Sequence, residues 1–169
     1  MISKKNNITL IGMPGSGKST IGVVLAKVLG YQFIDSDLLI QEKEGKLLCE
    51  IIKEKGNQGF QEIENEVNGS IMTSNSVIAT GGSAVYGDKA MEHLREISTV
   101  VYLRLSYEEI ESRLGDLKDR GVVLKENQTL LDLYKERTPL YEKYAHIIVD
   151  AEGLTIKELQ EKIRIQLEN

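Results

Sequence analysis

Gly12-Met13-Pro14-Gly15-Ser16-Gly17-Lys18-Ser19-Thr20 is the stretch whose reading decides the fold. Its spacing is G-x-x-x-x-G-K-[ST], a loop that wraps phosphate groups. The context fits as well. Ile8-Thr9-Leu10-Ile11 ahead of it reads as a short apolar strand. Ile21 to Leu29 behind it reads as a helix, with Ile21, Val24, Leu25, Val28 and Leu29 on one face. The chemistry needs these residue types. Gly15 and Gly17 let backbone N–H groups curl around phosphate oxygens, and the following helix adds the positive end of its dipole. Lys18 is expected to reach the β- and γ-phosphates and Ser19 to place its hydroxyl on Mg²⁺. Gly12 to Thr20 are therefore the expected nucleotide contacts.

Outward from this loop, apolar strands alternate with helical stretches. Strands are expected at Asn7–Ile11, Gln32–Asp35, Ser76–Ala79, Thr99–Leu105 and His146–Val149. Helices are expected at Lys18–Leu29, Leu47–Lys55, Gln58–Met72, Gly87–Glu96, Tyr107–Leu114, Thr129–Tyr144 and Thr155–Leu167. Strands separated by helices predict an α/β fold, a five-stranded parallel sheet flanked by helices on both faces. Pro139 inside Thr129–Tyr144 predicts a kink or break. The connection of residues 113–128 carries two glycines and both signs of charge, and its length suits a mobile lid.

Composition narrows the function. A chain of 169 residues, 41% hydrophobic and 28% charged, is expected to form one soluble domain spanning residues 1–169. There is no apolar run long enough for a membrane helix and no signal-peptide pattern at the start. One cysteine, Cys49, allows no internal disulfide and suits a reducing cytoplasm. A net charge of −5 with no basic stripe argues against nucleic acid. No His/Cys cluster has zinc spacing. Cys49 reads as core, and His93 and His146 as structural. A monomer is the default expectation.

Three further motifs follow strands or helices. Asp35-Ser36-Asp37 ends the second strand, where two carboxylates can divide magnesium and proton work, or where the triplet is only a turn capping the next helix. Thr80-Gly81-Gly82-Ser83 ends the third strand and allows close backbone approach to a ligand, or is a plain turn. Arg137-Thr138-Pro139-Leu140-Tyr141 offers an arginine suited to bidentate carboxylate recognition, or a surface helix arginine.

Taken in order, these residues resemble the shikimate kinase family over nearly the whole chain. The resemblance implies a P-loop kinase with a lid. It would use ATP and Mg²⁺ to phosphorylate a hydroxyl of a small hydroxy acid, shikimate to shikimate 3-phosphate, in aromatic amino acid biosynthesis. It implies that Asp37 binds the substrate hydroxyls as base and that Asp35 lies near the magnesium with Ser19. Arg120 in the lid would close over the transferred phosphate, and Arg113 would stack on adenine. Arg137 would grip the substrate carboxylate, and Gly81 and Gly82 would contact the substrate ring.

The departures fall on the acceptor side and the lid. The family pattern F-R-x-x-E is Phe60-Gln61-Glu62-Ile63-Glu64 here, so Gln61 stands where a second carboxylate-binding arginine is expected. Ser83 replaces a third glycine, and Gly121-Val122-Val123 replace a proline and leucines after the lid arginine. Two other readings stay open: a kinase of a different small hydroxy acid, amino alcohol or sugar acid, and a P-loop binding module without catalysis. A nucleoside monophosphate kinase fits less well, because D-x-D stands where an arginine-based phosphate clamp is expected.

Overall fold

The computed structural model describes residues 5–115, 125 and 127–169. Most of the expected lid, with Arg120 and Gly121-Val122-Val123, lies outside the described residues. Five parallel strands form one sheet in the order β2-β3-β1-β4-β5. They are β1 (Asn7–Ile11), β2 (Gln32–Asp35), β3 (Ser76–Ala79), β4 (Ser98–Arg104) and β5 (Ile147–Asp150). β1 is central, pairing with β3 through Ile8↔Val77 and with β4 through Ile8↔Thr99. All five β1 residues are buried, the pattern of a strand covered on both faces. The side chain of Asn7 serves the backbone of three neighbours. Its Nδ2 donates to the carbonyls of Thr73 and Ile97, and its Oδ1 accepts from the Ser76 amide.

Among the described residues, seven α-helices cover this sheet. They are α1 (Lys18–Leu29), α2 (Ser36–Glu44), α3 (Leu48–Gly69), α4 (Asp88–Ile97), α5 (Tyr107–Leu114), α6 (Leu130–Tyr144) and α7 (Ile156–Glu168). α1 packs on β2 and β3 and against α7, while α3 packs against α2 and α4. Side-chain caps define several starts: Ser106 accepts from the Glu109 amide, Thr129 from Asp132 and Thr155 from Glu158. A large core runs from Ile8, Leu10 and Ile11 through Val100 and Val101 to Ile163. A second, smaller cluster of Ile40, Ile51, Phe60 and Val67 seals α2 against α3.

The fold corrects three local expectations. Asp35-Ser36-Asp37 does cap the next helix, but through Asp35 rather than Ser36 or Asp37: Asp35 accepts from the Asp37 amide at 3.0 Å and starts α2, which has no counterpart among the expected helices. α6 continues through Pro139, and the Thr138 hydroxyl donates to the Tyr134 carbonyl inside it. Cys49 is exposed rather than core, because Ile51 takes the buried side of α3. The expected break between Leu47–Lys55 and Gln58–Met72 is present as a bend at Gly56, whose φ of 72° interrupts the helical backbone.

Candidate active site

In a parallel sheet the carboxyl ends of all strands face one edge, and ligands bind there. β1 runs into Gly12, β2 into Asp35 and Asp37, and β3 into Thr80 and Gly81. These turns surround a cleft of about 440 Å³ lined by Pro14, Lys18, Ser19, Asp37, Glu64 and Arg137, among others. Such a volume suits a small metabolite with part of a nucleotide.

At one end is the glycine loop. Gly17, with φ of 93°, sits in the left-handed region as the N-cap of α1, and no side chain caps that helix. The first amides of α1 are thus left for an anion. Met13 and Ser16 are buried, and Ser16 N donates to Met13 O at 3.1 Å. Lys18 is buried too. Its Nζ donates to the carbonyls of Gly12 and Met13, at 2.8 and 2.9 Å, and to Ser16 Oγ at 3.3 Å. Burial lowers its pKa to about 8, with nearby Asp37 pulling the other way. Ser19 and Thr20 are exposed at the cleft mouth.

Beside the loop, Ser19 Oγ lies 3.4 Å from Asp35 Oδ2. Among the described residues no three His, Cys, Asp or Glu side chains gather into a metal cage. A hydroxyl and one carboxylate beside a phosphate loop are nevertheless a donor set that Mg²⁺ accepts, since it keeps waters and takes phosphate oxygens. Arg113 stands behind the loop. Its Nε pairs with Glu109 at 2.8 Å and its Nη1 donates to the Gly15 carbonyl at 3.3 Å. It borders a cavity of about 230 Å³ with Thr20, Ala151, Leu154 and Leu159.

At the other end, Asp37 and Arg137 face the Gly81-Gly82 turn. A Cβ on Gly81 would lie 2.8 Å from Asp37 Oδ1, and one on Gly82 would lie 2.9 Å from Arg137 Nη1 and 2.7 Å from Pro14 Cδ. Side chains at either position would fill the space between these groups. Tyr141 holds the turn by donating to the Gly82 carbonyl at 2.6 Å, while its ring stacks on Tyr102 at 5.1 Å. Burial, with Asp35 close by, raises the Asp37 pKa to about 6, against the pull of Lys18. It remains ionised at pH 7 and basic enough to take a hydroxyl proton.

Two expected acceptor residues are placed differently from one another. Ser83 is buried and donates to Glu64 Oε1 at 2.7 Å. Gln61 lines a neighbouring cavity of about 440 Å³, with Asn57, Gln58, Tyr86, Lys125, Gln128 and Glu136. Sequence reasoning left Glu64 and Tyr86 unassigned. Glu64 is 1% exposed, and its Oε2 is a buried oxygen without a hydrogen bond among the described residues. Burial raises its pKa to about 7, although the Ser83 hydroxyl acts to lower it. The sequence signal for Glu64 was its place one helical turn after Phe60.

A phosphate loop on this sheet, with carboxylates and a buried guanidinium across one cleft, defines the class: a P-loop kinase of a small acceptor. The sequence model described as shikimate kinase matches residues 14–168. A shikimate kinase of Clostridium botulinum (strain Eklund 17B / Type B) is 41% identical over 161 residues, covering 95% of this chain and 96% of the relative. One from Thermodesulfovibrio yellowstonii is 39% identical, covering 93% and 92%. The structure of the Acinetobacter baumannii shikimate kinase in complex with shikimate superposes with a TM-score of 0.87 at 35% identity, covering 97% of this chain and 93% of that one. The chain belongs to the shikimate kinase family, phosphotransferases that act on a hydroxyl group. The family uses ATP, generally with Mg²⁺. Among the described residues, no helix is long and apolar enough to cross a membrane.

Proposed function

We propose that this chain transfers the γ-phosphoryl group of ATP to the 3-hydroxyl of shikimate, as a single domain of residues 1–169 and a cytoplasmic monomer. The observation that carries the reading is the approach of Asp37 and Arg137 to adjacent glycines of one turn, in the same cleft as Lys18. Bound ATP with Mg²⁺ supplies the transferable phosphoryl group and neutralises its charge. The residues do the rest. Gly12 to Thr20 would wrap the phosphates, with backbone amides other than that of Pro14 donating, and Lys18 would exchange the loop carbonyls for β- and γ-oxygens. Ser19 would hold the metal, with Asp35 beside it. Arg113 lies along the base, and Arg120, in a lid of about residues 113–128, neutralises the transferred group. Asp37 takes the acceptor's hydroxyl proton. Arg137 forks onto its carboxylate, with Gly81 and Gly82 beneath the ring.

The test is ADP release by purified protein with Mg²⁺ and ATP, with and without millimolar shikimate. Saturable, shikimate-dependent release is expected. ATP binding with no stimulation by shikimate would overturn the acceptor and point to another small hydroxy acid, consistent with the neutral Gln61.

A further inference from the structure

Arg137 is 1% exposed, halfway along α6. A buried guanidinium must have its donors occupied, and the groups that hold them set the direction in which it faces a ligand. The short 3₁₀ turn Ala84–Tyr86 follows Ser83 and ends on a tyrosine beside this group. The Tyr86 ring lies 5.3 Å from Arg137 Cζ. Arg137 Nε donates to the Tyr86 hydroxyl at 3.3 Å, and that hydroxyl donates to Glu136 Oε1 at 2.9 Å. A phenol has one proton. Giving it to Glu136 leaves oxygen lone pairs for the Nε–H, so the two bonds run in one direction and strengthen each other. Glu136 is anchored in turn by Gln128 Nε2 at 2.7 Å and Lys125 Nζ at 3.2 Å.

Glu136 and Arg137 are consecutive on a helix and point about 100° apart, so they do not face each other directly. Tyr86 spans that gap from another element. With Nε turned to Tyr86, the Nη1 edge lies against Gly82 and the cleft. Among the described residues lining the cleft, Lys18 and Arg137 are the cations, and Lys18 belongs to the phosphate end. Gln61, which shares a neighbouring cavity with Tyr86, is neutral.

We infer that Tyr86 is a positioning residue that fixes the Arg137 guanidinium for the acceptor's carboxylate through a relay ending on Glu136. The inference rests on the function proposed above. Its test is steady-state kinetics of the full chain with Mg²⁺, ATP and shikimate. Tyr86→Phe keeps the ring and removes both hydrogen bonds. It is expected to raise KM for shikimate about 3- to 10-fold, with kcat and KM for ATP within about twofold of wild type. Glu136→Ala is expected to do the same, and Glu136→Gln, which keeps an acceptor oxygen, to restore most of the loss. In the Tyr86→Phe background Glu136→Ala should add nothing. Wild-type KM in folded Tyr86→Phe, or equal increases for both substrates, overturns the inference. A wild-type protein without shikimate-dependent turnover instead overturns the function proposed above, and this inference falls with it.

Discussion

Gln61 separates this chain from the pattern it otherwise follows, and its surroundings show what an arginine would meet there. The residue shares a cavity with Tyr86 and Glu136 rather than lining the main cleft. Gln61→Arg is expected to lower KM for shikimate about 10-fold, the worth of one charged hydrogen bond. An unchanged KM would mean that the new guanidinium pairs with Glu136 instead. At this scale the glycine loop itself was legible in the sequence, because Gly15 and Gly17 take left-handed backbone angles that the G-x-x-x-x-G-K-[ST] spacing calls for. Glu64 and Tyr86 were not. A carboxylate on a polar helix reads as solvated, and only the packing of α3 against the Gly81–Ser83 turn buries it. Tyr86 sits in a three-residue turn with no periodicity to read.

Among the elements, the turn after β3 carries the closest packing in the site. Gly82 lies where a Cβ would press on Pro14 from one side and Arg137 from the other. Neither neighbour can yield easily. Pro14 is a ring within the phosphate loop, and Arg137 is held by Tyr86. Gly82→Ala is expected to cost about 1–3 kcal/mol of stability and to raise KM for both substrates, since it pushes on both binding ends. Thermal unfolding alongside kinetics checks this, and a variant with wild-type constants would contradict the packing described. The elements themselves were mostly legible, with β1 and α1 matching in both bounds. α2 was not, because Leu38-Leu39-Ile40 is too short an apolar run to signal a helix. What starts that helix is a cap at Asp35, where the sequence offered Ser36 or Asp37 as the capping residue of a turn. Of the kink or break expected at Pro139, the break is absent: α6 runs on through the proline to Tyr144.

For the whole molecule, the buried carboxylates of the cleft tie stability to pH. Glu64 has its pKa raised to about 7 by burial, from an ordinary value of 4.5. The folded protein thus holds a proton that the unfolded chain releases between those values. Stability from this group is full below pH 4.5 and is lost as pH rises to about 7. The loss is on the order of 3 kcal/mol for a shift of this size. Asp37, raised to about 6, adds the same sign at lower pH. Urea unfolding of the ligand-free protein between pH 5 and 8 should show this decline, set against the opposite sign of His146 and Lys18, whose folded values are lowered. Glu64→Gln should flatten the decline and be the more stable protein at pH 8. Parallel profiles for the two proteins would rule Glu64 out as its source.

The four-residue cluster that seals α2 against α3 has a further meaning. Leu48, Phe60, Glu64 and Asp37 reach the cleft from these two helices, while the glycine loop is braced by the main core under β1. The molecule is therefore assembled like two trades under one roof. One handles the phosphate donor and tolerates no drift. The other handles the acceptor and is walled off by its own apolar seam. Gln61 and Ser83 both lie off the loop at Lys18, Gln61 in a separate cavity and Ser83 bonded to Glu64 of α3, so the two sides meet where Gly82 touches Pro14.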